Sequence, residues 1–373
     1  MRVLNYIVPG LVIQAVLVGG GYATGRELVE FFISRGPATA LLGMVLTALL
    51  FSAVAMISFE LARQYRAYDY RSFCRVFLGR FWVLFEIGYY ALLVLVLSVL
   101  SAAAGRLLAD MLGSTELINS VCFMAAVAFV VFFGNSLIEK VISAWSVAFY
   151  ATYGSVFILV AWKFGPALSA ALASTPVRYS EALRDSLAYT GYNIVILPIL
   201  IFVARNFQSR AEAFLAGALA GPLILMPGVA FLLALSAFYP GILTAPLPIS
   251  VILQRLQTPA LTMCVQVVIL GAFIKTGVGM LHGLNERFAR SAIERGASMP
   301  RLLRPVLALG IMAIVVFVAS SIGIIDLIGR GYRFSSYFFL LIFLLPLMTR
   351  GLWLVARPQV QDAARQRDVS RTG

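Results

Sequence analysis

The chain of 373 residues is 61% hydrophobic and only 12% charged, where soluble globules run near half apolar and about a quarter charged. That excludes a soluble domain and marks an all-α integral membrane protein. A formal net charge of +13 does not point to nucleic acid, because the basic residues sit in short clusters between apolar runs and not on one domain. Three cysteines, Cys74, Cys122 and Cys264, lie too far apart to suggest a metal site or a disulfide framework. No HExxH or GxSxG pattern is present, so no enzyme and no cofactor are expected.

Cut at its charges, the sequence yields ten apolar runs: 3–25, 36–59, 87–105, 117–138, 141–162, 186–204, 213–254, 256–274, 305–325 and 334–349. Each is measured against the roughly 20 residues that a spanning helix needs. The first run lacks a small-residue cleavage signal and is expected to stay as a helix. It holds the stretch around which the rest is organised, Gly19-Gly20-Gly21-Tyr22-Ala23-Thr24-Gly25-Arg26-Glu27. Four glycines in seven residues break helices at about 1 kcal/mol each relative to Ala, and in hydrocarbon every freed N–H and C=O must find another partner. Such a break persists beside a cavity or a bound group, as in secondary transporters whose half-helix ends face an anionic group of the substrate. Close packing of two helices is the alternative reading of the triple glycine.

The first and third spans are expected to extend past their charges to Ser34 and Asp110, and the eighth to about Arg287. Residues 64–80, where arginines alternate with Tyr, Phe and Val, read as an interfacial amphipathic helix. The seventh run is too long for one helix. It is expected to span to about Phe238, turn at Tyr239-Pro240-Gly241, and end in a short helix over residues 251–256. The sixth run carries Tyr189-Thr190-Gly191-Tyr192-Asn193 and then Pro198, a second interrupted helix at the start of the second set of five. Paired interruptions at corresponding places in two halves are the sequence sign of an inverted repeat: five helices in residues 1–165, five in 166–357, and a mobile tail over 358–373. Counting Lys and Arg on alternate sides gives nineteen on the side of the termini against eight on the other, which sets both termini in the cytoplasm.

With Gly19 to Glu27, with Lys275-Thr276-Gly277-Val278-Gly279 and with Asn285-Glu286-Arg287, the chain resembles the YkvI-like membrane proteins of the amino acid/polyamine/organocation superfamily. The resemblance implies the LeuT-type five-plus-five fold of ten helices with helices one and six broken, in a bacterial cytoplasmic membrane. It implies a site where the carboxylate of an amino acid rests on the amides of Gly19, Gly20 and Gly21 beside Tyr22 and Thr24. Tyr89 or Tyr90 of span three would assist, and Tyr189, Gly191, Tyr192 and Asn193 of span six would line the side-chain subsite. The expected partners are a small amino acid or amine, the lipid bilayer and a proton.

Ionisable groups at membrane depth are costly and default to function. Lys275 and Thr276 fall where the sodium-dependent relatives hold a sodium ion. A lysine ammonium there argues against sodium and for proton-coupled symport or ion-free exchange; a fixed pair with Glu27 or snorkelling to the interface is the plainer reading. Arg26 and Glu27 just beyond the break, with Asp326 before span ten, form the expected outer gate, or else Arg26 and Glu27 make a local pair. His282 and Glu286, four residues apart, read as an interfacial pair, with a shared proton as the alternative. The expectation is a secondary transporter, with a sensor that binds without translocating as the alternative.

Overall fold

The computed structural model describes residues 2–17, 19–133, 136–294 and 303–357. All regular structure among them is helical. The first apolar run forms three pieces: α1 (Arg2–Leu17), α2 (Gly20–Thr24) and α3 (Arg26–Phe31), followed by a 3₁₀ turn over Ile33–Arg35. Then come α4 (Pro37–Tyr65), α5 (Tyr70–Leu78), α6 (Trp82–Leu112), α7 (Glu116–Phe133) and α8 (Ser136–Ser174). The second half runs through α9 (Tyr179–Asn193), α10 (Ile196–Ile199), α11 (Arg210–Ser236), α12 (Pro248–Leu256), α13 (Pro259–Glu294) and α14 (Leu303–Ile322). It closes with α15 (Ile324–Asp326), α16 (Arg333–Phe339) and α17 (Leu352–Ala356). Among the described residues, six helical stretches are long and apolar enough to cross a bilayer, and three shorter apolar ones accompany them.

Several expectations are corrected in detail. The amphipathic segment is confined to α5, whose start is capped by Asp69 accepting from the backbone N–H groups of Arg71 and Ser72; an Asp in that place satisfies donors that the first turn leaves open. α8 runs twelve residues past 162, bending at Phe164 (φ −122°, ψ 17°) two residues before Pro166, because the proline ring cannot continue the ladder. α13 does not stop near Arg287 but reaches Glu294. The last span is not uniform α-helix: it widens into π-helical turns at Leu327–Tyr332, Leu340–Leu344 and Leu347–Gly351. The tail over 358–373 lies outside the described residues.

Close backbone approach explains which helices pair. A Cβ at Gly217 of α11 would overlap the Met56 nitrogen, and one at Gly221 would overlap the Ala48 carbonyl oxygen. α4 and α11 therefore touch main chain to main chain, the packing that small residues permit where lipid supplies no hydrophobic drive. Gly10 of α1 lies close to α11, where a Cβ would come within 3.0–3.2 Å of the Leu223 side chain and the Ala220 Cα. The two ends of the molecule are fixed by contacts far apart in sequence. At the basic end Gln64 Nε2 donates to the Arg357 carbonyl at 3.1 Å; at the far end Thr39 donates to the Pro176 carbonyl and Ala38 N–H to Thr175 Oγ1.

Candidate binding site

The break in the first span falls at Gly19, which has an extended backbone (φ −103°, ψ −162°), and again at Gly25, held at φ 82°. Gly25 is where glycine is needed, since that dihedral strains any residue with a Cβ. The four glycines do not unwind the whole stretch, as the sequence suggested: Gly20–Thr24 makes a short helical turn between the two interruptions. Thr24 supports that turn by donating its hydroxyl to the Gly21 carbonyl at 2.9 Å. The break is braced from α8 on both sides. Tyr150 donates to Gln14 Oε1 at 2.9 Å, Gln14 donates onward to the Leu223 carbonyl, and Tyr153 donates to the Ala23 carbonyl. Two tyrosines three residues apart thus place both hydroxyls on one face of α8, Tyr153 on a main-chain carbonyl of the turn between the interruptions and Tyr150 on the Gln14 side chain before it.

From the break outward, Glu27 turns back over Gly21, where an added Cβ would overlap Glu27 Oε1. The Glu27 residue is only 6% exposed, and its Oε2 accepts the Tyr192 hydroxyl at 2.7 Å. No arginine or lysine pairs with it among the described residues. Around it stand rings from three parts of the chain. Tyr192 stacks on Tyr332 with centroids 4.6 Å apart, and meets Phe31 at 5.5 Å and Tyr189 at 5.6 Å. The Tyr22 and Tyr189 hydroxyls are buried without a hydrogen-bond partner, each a cost of about 1–3 kcal/mol unless something answers it.

Above the rings lies an ion network at the far end. Arg26 donates to the Leu243 and Ala245 carbonyls at 2.7 and 3.1 Å and pairs with Glu30 at 2.9 Å. Arg333 bridges Glu30 at 3.6 Å and Asp185 at 3.1 Å, and its guanidinium sits 5.3 Å from the Phe31 ring. Asp185 is 2% exposed and also takes Arg35 at 3.1 Å. First, sixth and last spans are thereby tied together directly above the aromatic cluster.

Several expected site residues stand elsewhere. Asp326 does not meet Arg26; it sits exposed in the first turn of the last apolar stretch, Ile324–Ala356, and pairs with Arg330 one turn on at 3.2 Å. Arg26 and Glu27 form no pair, because they follow one another on a helix and point apart. Gly191 is a packing contact: a Cβ there would lie 2.7 Å from the Ser336 carbonyl oxygen of α16. Asn193 donates to the Tyr189 carbonyl within its own helix. The second interruption follows the Tyr189–Asn193 motif instead of consuming it, with a turn at Ile194–Val195 before α10. Tyr90 donates to Glu86 at 3.2 Å, toward the basic end, while α6 presents Leu95 to Gly331 near Tyr332. Tyr89 packs on Tyr90 with centroids 6.1 Å apart. Thr276 of α13 does reach the break, its methyl 3.7 Å from where a Gly19 Cβ would be, with half-buried Lys275 beside it. The side chains of His282 and Glu286 lie outside the described residues.

Asp185, Tyr332 and Arg333 were missed by sequence reasoning. The available signal was charge and tyrosine at the margins of apolar runs, in Arg184-Asp185-Ser186 and Gly331-Tyr332-Arg333, which reads as a plain boundary until the spans are assembled.

No family model matches the chain, and no curated protein does. Solved structures do. Over 92% of this chain and 88% of the other, it superposes on MhsT in complex with L-phenylalanine, with a TM-score of 0.59 and 16% identity. It superposes also on the Eremococcus coleocola manganese transporter in complex with an aromatic bis-isothiourea substituted compound, over 99% and 91% of the two chains, with a TM-score of 0.53 and 14% identity. A mutant of that transporter gives 0.53 and 16% over 92% and 78%. With its apolar helices, the chain is a multi-pass membrane protein of the LeuT-type fold.

Proposed function

We propose that the chain is a secondary transporter of a small organic solute, an amino acid or related amine, working by alternating access. The observation that carries this reading is the doubly interrupted first span standing beside a buried carboxyl, Glu27, and a cluster of rings from the sixth and last spans. Main-chain groups released from a helix, together with phenols lacking partners, are what a passenger uses and what a purely structural core avoids. One relative in fold holds L-phenylalanine and another is a manganese transporter; the rings and single carboxyl here suit an organic amine.

In this reading the ten spans form two five-helix repeats, 1–165 and 166–357, as in the amino acid/polyamine/organocation superfamily and its YkvI-like members. The basic end faces a bacterial cytoplasm. Lys275 supplies beside the break a fixed positive charge in the place of sodium, so that transport is sodium-independent or proton-coupled. Arg26, Glu30, Arg333 and Asp185 close the outer path, a role Arg26 keeps although its partner is Glu30.

Uptake of radiolabelled amino acids and amines by proteoliposomes tests this. Saturable, sodium-independent uptake that Gly21→Leu abolishes is expected. Binding without uptake under any imposed gradient would replace the transporter by a sensor.

A further inference from the structure

We infer that Glu27 is the receptor for the solute's ammonium group, and that the site takes primary amines lacking an α-carboxylate in preference to amino acids. This rests on the reading of the broken first span as a solute site, and it narrows the chemistry that the site accepts.

Glu27 covers the glycine turn. Its carboxyl is folded onto Gly21, with Oε1 overlapping the position of an added Cβ and Cγ 2.7 Å from it. A substrate carboxylate seated at the Gly19 to Gly21 turn would lie beside a second carboxylate in a place with little water, and like charges at such range repel strongly. A zwitterionic amino acid gains from one end and loses at the other; a plain amine only gains.

The partners of Glu27 point the same way. A carboxylate has two oxygens with about four acceptor positions, and the Tyr192 hydroxyl fills one. The neighbouring acids of the first and sixth spans beyond the break have basic partners: Glu30 has Arg26 and Arg333, and Asp185 has Arg35 and Arg333. Glu27, buried like Asp185, has none among the described residues. A buried charge without a counter-ion is expensive, and an incoming ammonium supplies that counter-ion.

The rings complete the receptor. Phe31, Tyr189, Tyr192 and Tyr332 lie within 4.6 to 5.7 Å of one another along their contacts, and aromatic faces attract cations. The cluster already hosts a cation on its outer side, where Arg333 lies 5.3 Å from the Phe31 ring. On the inner side stands Glu27. An alkyl or aryl ammonium would set its charge between Glu27 and the Tyr192 and Tyr332 rings, with its apolar body against them.

Calorimetric titration of the purified full chain separates the alternatives with three probes of one skeleton: 2-phenylethylamine, L-phenylalanine and 3-phenylpropionate. The expected result is 2-phenylethylamine binding at least about tenfold tighter than L-phenylalanine, with 3-phenylpropionate not binding. Glu27→Gln should weaken the amine at least about 30-fold, in line with truncating one partner of a buried charge pair. Tyr332→Leu, which keeps the carboxyl, should weaken it about fivefold, and serves if Glu27→Gln does not fold. L-phenylalanine binding as tightly as the amine, or amine affinity unchanged in Glu27→Gln, would overturn the inference and leave the transporter reading intact. Failure of all three probes, and of aliphatic amines such as butylamine and putrescine, also overturns it, whereas loss of the transporter reading requires that no solute at all be carried.

Discussion

Two acidic residues, Glu27 and Glu86, have similar chemistry and opposite circumstances. Glu86, at the basic end of α6, accepts the Tyr70 hydroxyl at 2.6 Å and the Tyr90 hydroxyl at 3.2 Å and pairs with Arg71 at 3.3 Å. Arg71 in turn packs 5.4 Å from the Trp82 ring. Glu27 has one tyrosine and no base among the described residues. The first carboxylate is complete within the protein and braces α5 against α6. The second has no basic partner among the described residues, and that difference is what the proposal for Glu27 rests on. Burial alone does not separate a structural acid from a functional one; the set of partners does.

The contrast sets the order of the tests. Glu27→Gln is expected to lower uptake by about two orders of magnitude, while the melting temperature stays level or rises, because a buried charge has been removed. A large fall in melting temperature with uptake preserved would make Glu27 a brace like Glu86.

Next in size is Gly21→Ala. The new methyl takes the place of the Glu27 carboxyl, the far end of a flexible side chain, so the fold yields cheaply while Glu27 is pushed aside. Solute affinity should fall about tenfold with stability lowered by less than about 1 kcal/mol, read by binding and melting of the same preparation.

Glu86→Gln should show the reverse pattern. Losing the charge-assisted contacts to Arg71 and two phenols costs about 1.5–3 kcal/mol, seen as a lower melting temperature with solute affinity unchanged. If affinity falls as well, the basic end is coupled to the site.

The smallest effect belongs to Asp69, which caps α5 beside Glu86's partners. Its burial pushes the carboxyl up, but hydrogen bonds from the Ser72 hydroxyl, the Ser72 and Arg71 N–H groups and the charge of Arg71 outweigh this and hold it below the usual carboxylate value. A depressed pKa in the folded protein means stability that is present above the unfolded value near 4 and lost as pH falls through the folded one. Asp69→Ala should therefore cost about 1 kcal/mol at pH 7 and progressively less as pH falls through the folded value, as melting at neutral and acid pH would show.

The sequence made the first span's interruption plain, because glycine spacing is a local property and Gly19 and Gly25 act where they stand. It also singled out Tyr189, Tyr192 and Glu27, which the fold brings together. It did not distinguish their parts. Glu27 read as a gate because its neighbour Arg26 lies at the right distance past the glycines, yet one residue of helix turns the two to different partners, Tyr192 and Glu30. Tyr332 and Arg333 were illegible because a widened π turn sets their register, and nothing in the apolar period announces one. Gly191 misled for the opposite reason: glycine marks close approach as readily as a break, and only its neighbour, here Ser336, tells which. α13 outran its expected end because Arg and Glu are good helix formers outside the apolar zone.

The main-chain contact of Gly217 and Gly221 with α4, with Gly10 tucked against Ala220 and Leu223 of α11, leaves little cushion of side chains along which those helices could slide. In the proposed transport cycle, tilting would carry the lower half of the first span, α4 and α11 together as one stiff plank. On the proposed reading, the breaks at Gly19 and Gly25 would serve as the joints, so the hinge and the seat of the cargo would be the same few atoms.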